Sequence, residues 1–120
     1  MILVDTSVWV DHFRRDNLTL RALLHDDLVV THPFVVGELA CGRLANRPAI
    51  LAYLVELPAV AVVEHEEALA FVEARRVMGA GIGWVDVHLL AAAAVDRADL
   101  WTLDKRLGAV ANRLGLSASR

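Results

Sequence analysis

Apolar residues in this chain fall into short blocks divided by turn signals, and the spacing inside the blocks alternates between two kinds. Continuous runs at residues 2–4, 28–30, 60–63 and 99–102 are short and rich in Val, Ile and Leu, the signature of parallel strands buried on both faces. Between them, apolar positions recur every three to four residues, which predicts helices over 8–15, 18–26, 34–44, 46–57, 66–78, 84–95 and 105–114. Start and stop signals agree with these bounds. Thr6 or Ser7 is a natural cap for the first helix. Pro33 suits the first turn of the third helix, and Asn46-Arg47-Pro48 opens the fourth, which Pro58 stops. Glu66 and Glu67 begin the fifth and Arg75-Arg76 end it, the polarity that complements the helix dipole. The helix over 84–95 is apolar on nearly all sides and is therefore expected to be buried. Gly79-Ala80-Gly81-Ile82-Gly83 is a flexible break before it, and the tail at 117–120 is expected to fray. Strands that alternate with helices, without hairpin turns, indicate an α/β fold with a parallel sheet covered on both faces.

Composition narrows this picture. The 120 residues suit a single domain spanning 1–120, with enough chain to bury a core without staples. A hydrophobic fraction of 57% and a mean hydropathy of +0.47 are high for so small a chain. No apolar run approaches a membrane span and no basic leader precedes the first strand, so no membrane association is expected. The excess apolar surface points instead to an oligomer or an obligate complex. Cys41 is the sole cysteine, which excludes an internal disulfide and suits a cytoplasmic setting. Its place in an apolar helix marks it as a small core residue. A net charge of −3 gives no overall nucleic-acid footprint, but an acidic metal site would account for several negative charges. Eleven of the twelve basic residues are arginine, the better side chain for gripping phosphate. Arg14, Arg15, Arg43, Arg75 and Arg76 are candidates for that role.

Most of the acids sit at element ends, Asp26, Asp27, Glu64, Glu66, Glu67 and Asp96 among them, where solvated or dipole-complementing carboxylates belong. Four others matter more. Asp5 follows Val4 at the carboxyl end of the first strand, where open α/β sheets bind ligands, although capping of the next helix accounts for it equally well. Glu38 lies in the apolar stretch Phe34-Val35-Val36-Gly37-Glu38-Leu39-Ala40-Cys41. Asp86 lies in Trp84-Val85-Asp86-Val87-His88-Leu89-Leu90, and Asp104 follows Leu100-Trp101-Thr102-Leu103. An ionised carboxylate among apolar residues is costly unless it is paired, hydrogen-bonded or bound to metal. Asp5 and Asp104 end strands, while Glu38 and Asp86 lie one turn or less into helices that start at the same sheet edge. Four carboxylates in one crevice repel one another and call for a divalent cation. Oxygen-only ligation selects Mg²⁺ or Mn²⁺, ions that activate water and stabilise the leaving oxygen in phosphodiester cleavage.

Other chemistries fit less well. The five histidines lack metal-ligand spacing, and with one cysteine they do not make a zinc site. His88 points away from the face that carries Asp86 and reads as a satisfied core or surface histidine. The Gly79–Gly83 break follows a helix and is not a dinucleotide fingerprint.

The four acidic blocks, Ile2-Leu3-Val4-Asp5-Thr6-Ser7, Val36-Gly37-Glu38-Leu39, Gly83-Trp84-Val85-Asp86-Val87-His88-Leu89-Leu90 and Leu100-Trp101-Thr102-Leu103-Asp104-Lys105-Arg106-Leu107, resemble those of PIN-domain nucleases. More narrowly, the chain is similar to VapC-type ribonuclease toxins of VapBC toxin–antitoxin systems. The similarity covers nearly the whole chain, in order. It implies a three-layer α/β/α fold around a parallel sheet of four or five strands, the short tail after Leu116 leaving a final strand in question. It also implies Mg²⁺-dependent endoribonuclease activity, with Mn²⁺ able to substitute. On that resemblance Asp5, Asp86 and Asp104 face the metal. Glu38 is the fourth acid, ligating through water or orienting the attacking water. Ser7 and Thr102 match hydroxyl positions that orient those carboxylates. The resemblance further implies homodimers, or hetero-oligomers with a VapB-type antitoxin whose tail covers the groove. Two other readings compete with it. One is an aspartyl-phosphate phosphatase or receiver-like domain acting through Asp5, which the Ser7 and Val63-Glu64-His65 positions disfavour. The other is a PIN-like scaffold without catalysis, which the presence of all four acids disfavours.

Overall fold

The structure is a computed structural model that describes residues 1–118. Its core is the strand β1 (Ile2–Val4), all three residues of which are buried. It lies between β2 (Val29–Val30) and β3 (Asp99–Trp101), both parallel to it, in the order β2-β1-β3. Ile2 and Leu3 pair with Val29 and Val30 on one side, and residues 2–4 pair with 99–101 on the other. Having neighbours on both edges and both faces is what makes the run at 2–4 purely apolar.

Seven helices among the described residues flank the sheet: α1 (Thr6–Arg15), α2 (Leu18–His25), α3 (Pro33–Cys41), α4 (Arg47–Glu56), α5 (His65–Arg75), α6 (Trp84–Asp96) and α7 (Lys105–Arg113). Each begins or ends within a few residues of the bounds read from the sequence. Asn17 caps α2 by accepting from the Leu20 amide at 2.9 Å, and His32 caps α3 through the Phe34 amide. The middle of α6 is buried from Val87 to Ala93, as its apolar character predicts, whereas Trp84 and Val95 near its ends are exposed. No helix among the described residues is long and apolar enough to cross a membrane.

The sheet is smaller than the four or five strands expected. Three strands form among the described residues, and each outer edge carries one further parallel bridge, Thr31 to Ala59 beside β2 and Leu100 to Ser117 beside β3. The run at 60–63 is not a strand. Its would-be partner β2 turns after Thr31 into Pro33 and α3, and the Ala61 amide goes to the Asp96 carboxylate at 2.9 Å instead of to a strand. The tail does contribute a fragment of the last strand, since Ala118 donates to the Leu100 carbonyl at 3.0 Å. Ser117 and Ala118 are thus fixed rather than frayed, and residues 119–120 lie outside the described residues. Helix α1 starts two residues earlier than predicted, with Asp5 rather than Thr6 or Ser7 at its cap position. Glu38 lies in the second turn of α3, deeper than expected. Cys41 is exposed at the end of that helix and is not a core residue.

Candidate active site at the end of the central strand

From β1 the chain leads to β2 on one side, while β3 closes the other, so the end of β1 is a topological switch point, where α/β sheets open a crevice. Asp5 stands there. Its amide continues the β1–β3 ladder by donating to the Trp101 carbonyl at 2.9 Å, and the residue is buried. Although Asp5 occupies the cap position of α1, its side chain makes no capping bond. Its Oδ2 instead accepts from Ser7 Oγ at 2.8 Å and from Thr102 Oγ1 at 2.7 Å. Each hydroxyl oxygen also serves as an acceptor. Ser7 Oγ accepts from the Leu103 amide at 2.9 Å, and Thr102 Oγ1 from the Asp104 amide at 3.0 Å. A hydroxyl has one proton to give, so both protons are spent on one carboxylate oxygen. Among the described residues, no hydrogen bond reaches Asp5 Oδ1.

The other three acids repeat this half-anchored state. Asp86 Oδ2 accepts from the Gly83 amide at 3.1 Å. Asp104 Oδ1 caps α7 by accepting from the Leu107 amide at 3.0 Å. Glu38 Oε1, on an exposed side chain, accepts from Thr6 Oγ1 at 2.7 Å. In each case the second oxygen receives no hydrogen bond, and none of the four carboxylates is paired with an arginine or lysine among the described residues. Their fields overlap at Asp86. Burial raises its pKa most, the charges of Asp5, Asp104 and Glu38 raise it further, and the Gly83 amide opposes them. Asp5, Glu38 and Asp104, from three other elements, thus lie near enough to Asp86 for their charges to act on it.

They do not form a closed cage. Among the described residues, no three aspartate, glutamate, histidine or cysteine side chains are placed to share an ion. Mg²⁺ keeps several waters and takes only one or two carboxylates directly, with substrate phosphate completing its shell. Four carboxylates, each with a free oxygen and no basic partner, fit that ion chemically.

Residues 2–113 match the PIN domain family. Ribonuclease VapC32 of Mycobacterium tuberculosis, in strains CDC 1551 / Oshkosh and ATCC 25618 / H37Rv, is 46% identical over 118 residues, covering 98% of this chain and 95% of the relative. The chain belongs to the PIN-domain family, among its VapC-type members. The crystal structure of PAE2754 from Pyrobaculum aerophilum superposes on this PIN domain with a TM-score of 0.64, over 91% of the chain and 83% of that structure. At 17% identity that likeness concerns the fold alone. Family membership displaces the phosphatase or receiver reading of Asp5.

The sequence does not reveal two supporting groups of this PIN domain, Thr6 and the Gly83 amide. Both lie inside the acidic blocks, but only the folded chain shows that Thr6 reaches across 32 residues to Glu38. Behind the site, His32, Phe34, His88, Trp84 and His65 form a chain of edge-to-face and tilted rings, with centroids 4.7–5.2 Å apart. His88 is buried with Nδ1 unpartnered, so it is not the satisfied histidine expected.

Because its neighbours and its burial raise the Asp86 pKa, ionised Asp86 works against folding. A carboxyl whose folded pKa is raised contributes stability that is lost as pH climbs through that range. In metal-free buffer at pH 7, Asp86→Asn is therefore expected to raise the midpoint of thermal unfolding. A lower midpoint than the parent would show that Asp86 is not electrostatically strained.

Proposed function

We propose that this chain is an endoribonuclease toxin of a type II VapBC toxin–antitoxin system, hydrolysing RNA phosphodiester bonds in the cytoplasm with Mg²⁺, or Mn²⁺ in its place. The observation that carries the reading is the convergence on Asp86 of the charges of Asp5, Asp104 and Glu38, none of the four being paired with a lysine or arginine among the described residues. The ribonuclease name of the 46% identical relatives supports it.

In this reading Asp5, Asp86 and Asp104 would hold the cation with their free oxygens, one or two of them directly and the rest through its bound waters. When bound, the ion supplies activation of a water and offsets charge on the phosphate. Ser7 and Thr102 fix Asp5 Oδ2, so that Oδ1 keeps one direction. Glu38, tied down at Oε1 by Thr6, offers Oε2 as acceptor for a proton of the attacking water. The antitoxin tail is assigned to a cavity of about 640 Å³ that starts at Thr6 and Glu38 and is lined by Val10, Phe13, Leu39 and Ile50 with Arg14 and Arg43. A fitting tail carries apolar residues for the walls and acidic ones for the arginines. Exposed Val62, Leu69, Met78 and Trp84 leave apolar surface for a second copy of the chain.

The test is cleavage of a single-stranded RNA pool by purified protein freed of metal. No cutting is expected in EDTA, and cutting is expected to return with Mg²⁺ or Mn²⁺ but not with Na⁺ alone. Sequencing of the new ends then identifies the preferred site. Intact RNA in the presence of both ions, for protein free of antitoxin, would leave the scaffold reading in its place.

A further inference from the structure

A cavity of about 400 Å³ lies between α7 and the Gly79–Gly83 break, lined by Ala80, Lys105, Arg106, Ala109, Val110 and Arg113. Three of the six are cations and none is an acid, in a chain that has fifteen acids against twelve bases. Elsewhere two arginines are neutralised: Arg15 pairs with Asp11 at 2.6 Å, and Arg21 pairs with Asp16. Among the described residues, Lys105, Arg106 and Arg113 have no such partner.

Arg113 is held in place by groups that leave its charge intact. It donates from Nη1 to the Arg75 carbonyl at 3.2 Å and from Nη2 to the Arg76 carbonyl at 3.1 Å, both neutral acceptors. Arg106 lies against Gly81, where a Cβ would come within 2.7 Å of its Cδ and 3.0 Å of its Nη1. Gly81 has a φ of +79°, the left-handed region that favours glycine, while the Arg106 side chain beside it could shift. Two residues further on, the Gly83 amide holds Asp86, and Lys105 directly follows Asp104. Arg106, Val110 and Arg113 share one face of α7, which at 1.5 Å per residue spreads the two guanidinium-bearing positions by about 10 Å. A strip of cations without carboxylate partners among the described residues thus runs from beside Asp104 along α7.

We propose that Lys105, Arg106 and Arg113 bind phosphates of the RNA strand flanking the cleaved bond. The inference rests on the ribonuclease reading. It gives the acidic crevice an adjoining surface that attracts a polyanion the crevice itself repels. Contacts of this type fix the path of the strand without reading its bases.

The test measures binding of a fluorescent single-stranded RNA to the Asp5→Asn protein with Mg²⁺, from 50 to 200 mM salt. Adding Lys105→Ala and Arg106→Ala is expected to weaken binding about tenfold or more at the lowest salt. It should also reduce the slope of log affinity against log salt by about 1.4, roughly 0.7 per lost phosphate contact. Arg106→Lys should restore most of its share of the slope, while Arg21→Ala, in a neutralised pair, should change neither quantity. In proteins that retain Asp5, the double variant should raise KM for RNA far more than it lowers kcat. RNA bound with the parent's affinity and slope would overturn the proposal and leave the ribonuclease reading standing. Loss of neutralisation by the antitoxin without change in RNA binding would overturn it too, and assign the strip to the protein partner. A parent that neither binds nor cuts RNA overturns the ribonuclease reading itself.

Discussion

Asp5→Asn is expected to reduce RNA cleavage by more than the roughly 10–100-fold that loss of a supporting partner costs a metal site, while the melting temperature stays close to the parent's. The asparagine oxygen can still accept both hydroxyl protons, from Ser7 and Thr102, so the link between β1 and β3 survives. What changes is the other atom of the head group, from a carboxylate oxygen to an amide nitrogen that cannot ligate a hard cation. Thr102→Val provides the graded comparison. It removes one proton donor from Asp5 and leaves the Asp104 amide without its acceptor, disturbing two of the four acids at once. Its activity is expected to fall about 10–100-fold, with a loss of about 0.5–1.5 kcal/mol in stability for the hydrogen bonds removed. Initial rates on a defined RNA, with unfolding curves for both proteins, separate the two effects. Undiminished cleavage by purified Asp5→Asn would sink the proposed site.

The second large effect is on stability in mild acid. His32 is fully buried, and its Nδ1 accepts from the Phe34 amide at 2.9 Å, an arrangement that requires that nitrogen to be unprotonated. Burial first, and the charge of His88 second, lower its pKa from 6.5 to about 4. The unfolded chain therefore takes up a proton near pH 6.5 that the folded chain refuses until about 4. For a base with a depressed folded pKa, stability is complete above the unfolded value and drains away as pH falls between the two. Between pH 7 and 5 the loss from His32 is expected to be about 2 kcal/mol. His32→Asn keeps a capping side chain but does not titrate, so its stability should be much flatter over this interval. Denaturant melts at pH 7, 6 and 5 decide the matter, and an equal slope in parent and variant would place the titrating group elsewhere. Asp86 acts in the opposite sense, at pH values above its ordinary 3.8.

These two residues also show what the amino-acid order discloses and what it conceals. Asp5 is legible because a buried strand that ends in a carboxylate leaves few places for the charge to go. The helices are legible because their start signals are local, and Pro33 and the acids of α5 act within one turn of their own positions. The sheet is less so. Residues 60–63 have the composition of a strand, but pairing needs a neighbour, and the neighbour leaves the sheet after Thr31. The cap signal at Thr6 and Ser7 misleads by a residue or two, because Asp5 takes the cap position while its side chain turns to Ser7 and Thr102. Cys41 is hard to place because an apolar helix does not say which of its last residues faces water. The strip on α7 is hidden for a related reason. Lys105 and Arg106 read as neighbours able to neutralise Asp104, and only the folded chain shows that, among the described residues, they pair with no carboxylate. Of the arginines chosen as phosphate candidates, Arg15 is committed to Asp11.

The bond between Thr102 and Asp5 joins residues 97 apart, and each pair of the β1–β3 ladder spans the same distance in sequence. Contacts of such span form late, because the intervening chain must first be ordered. During translation, therefore, a ribosome has already made Asp5, Glu38 and Asp86 long before the strand that completes their crevice emerges. The crevice of this PIN domain therefore stays incomplete until residues 99–102 have emerged and paired with β1.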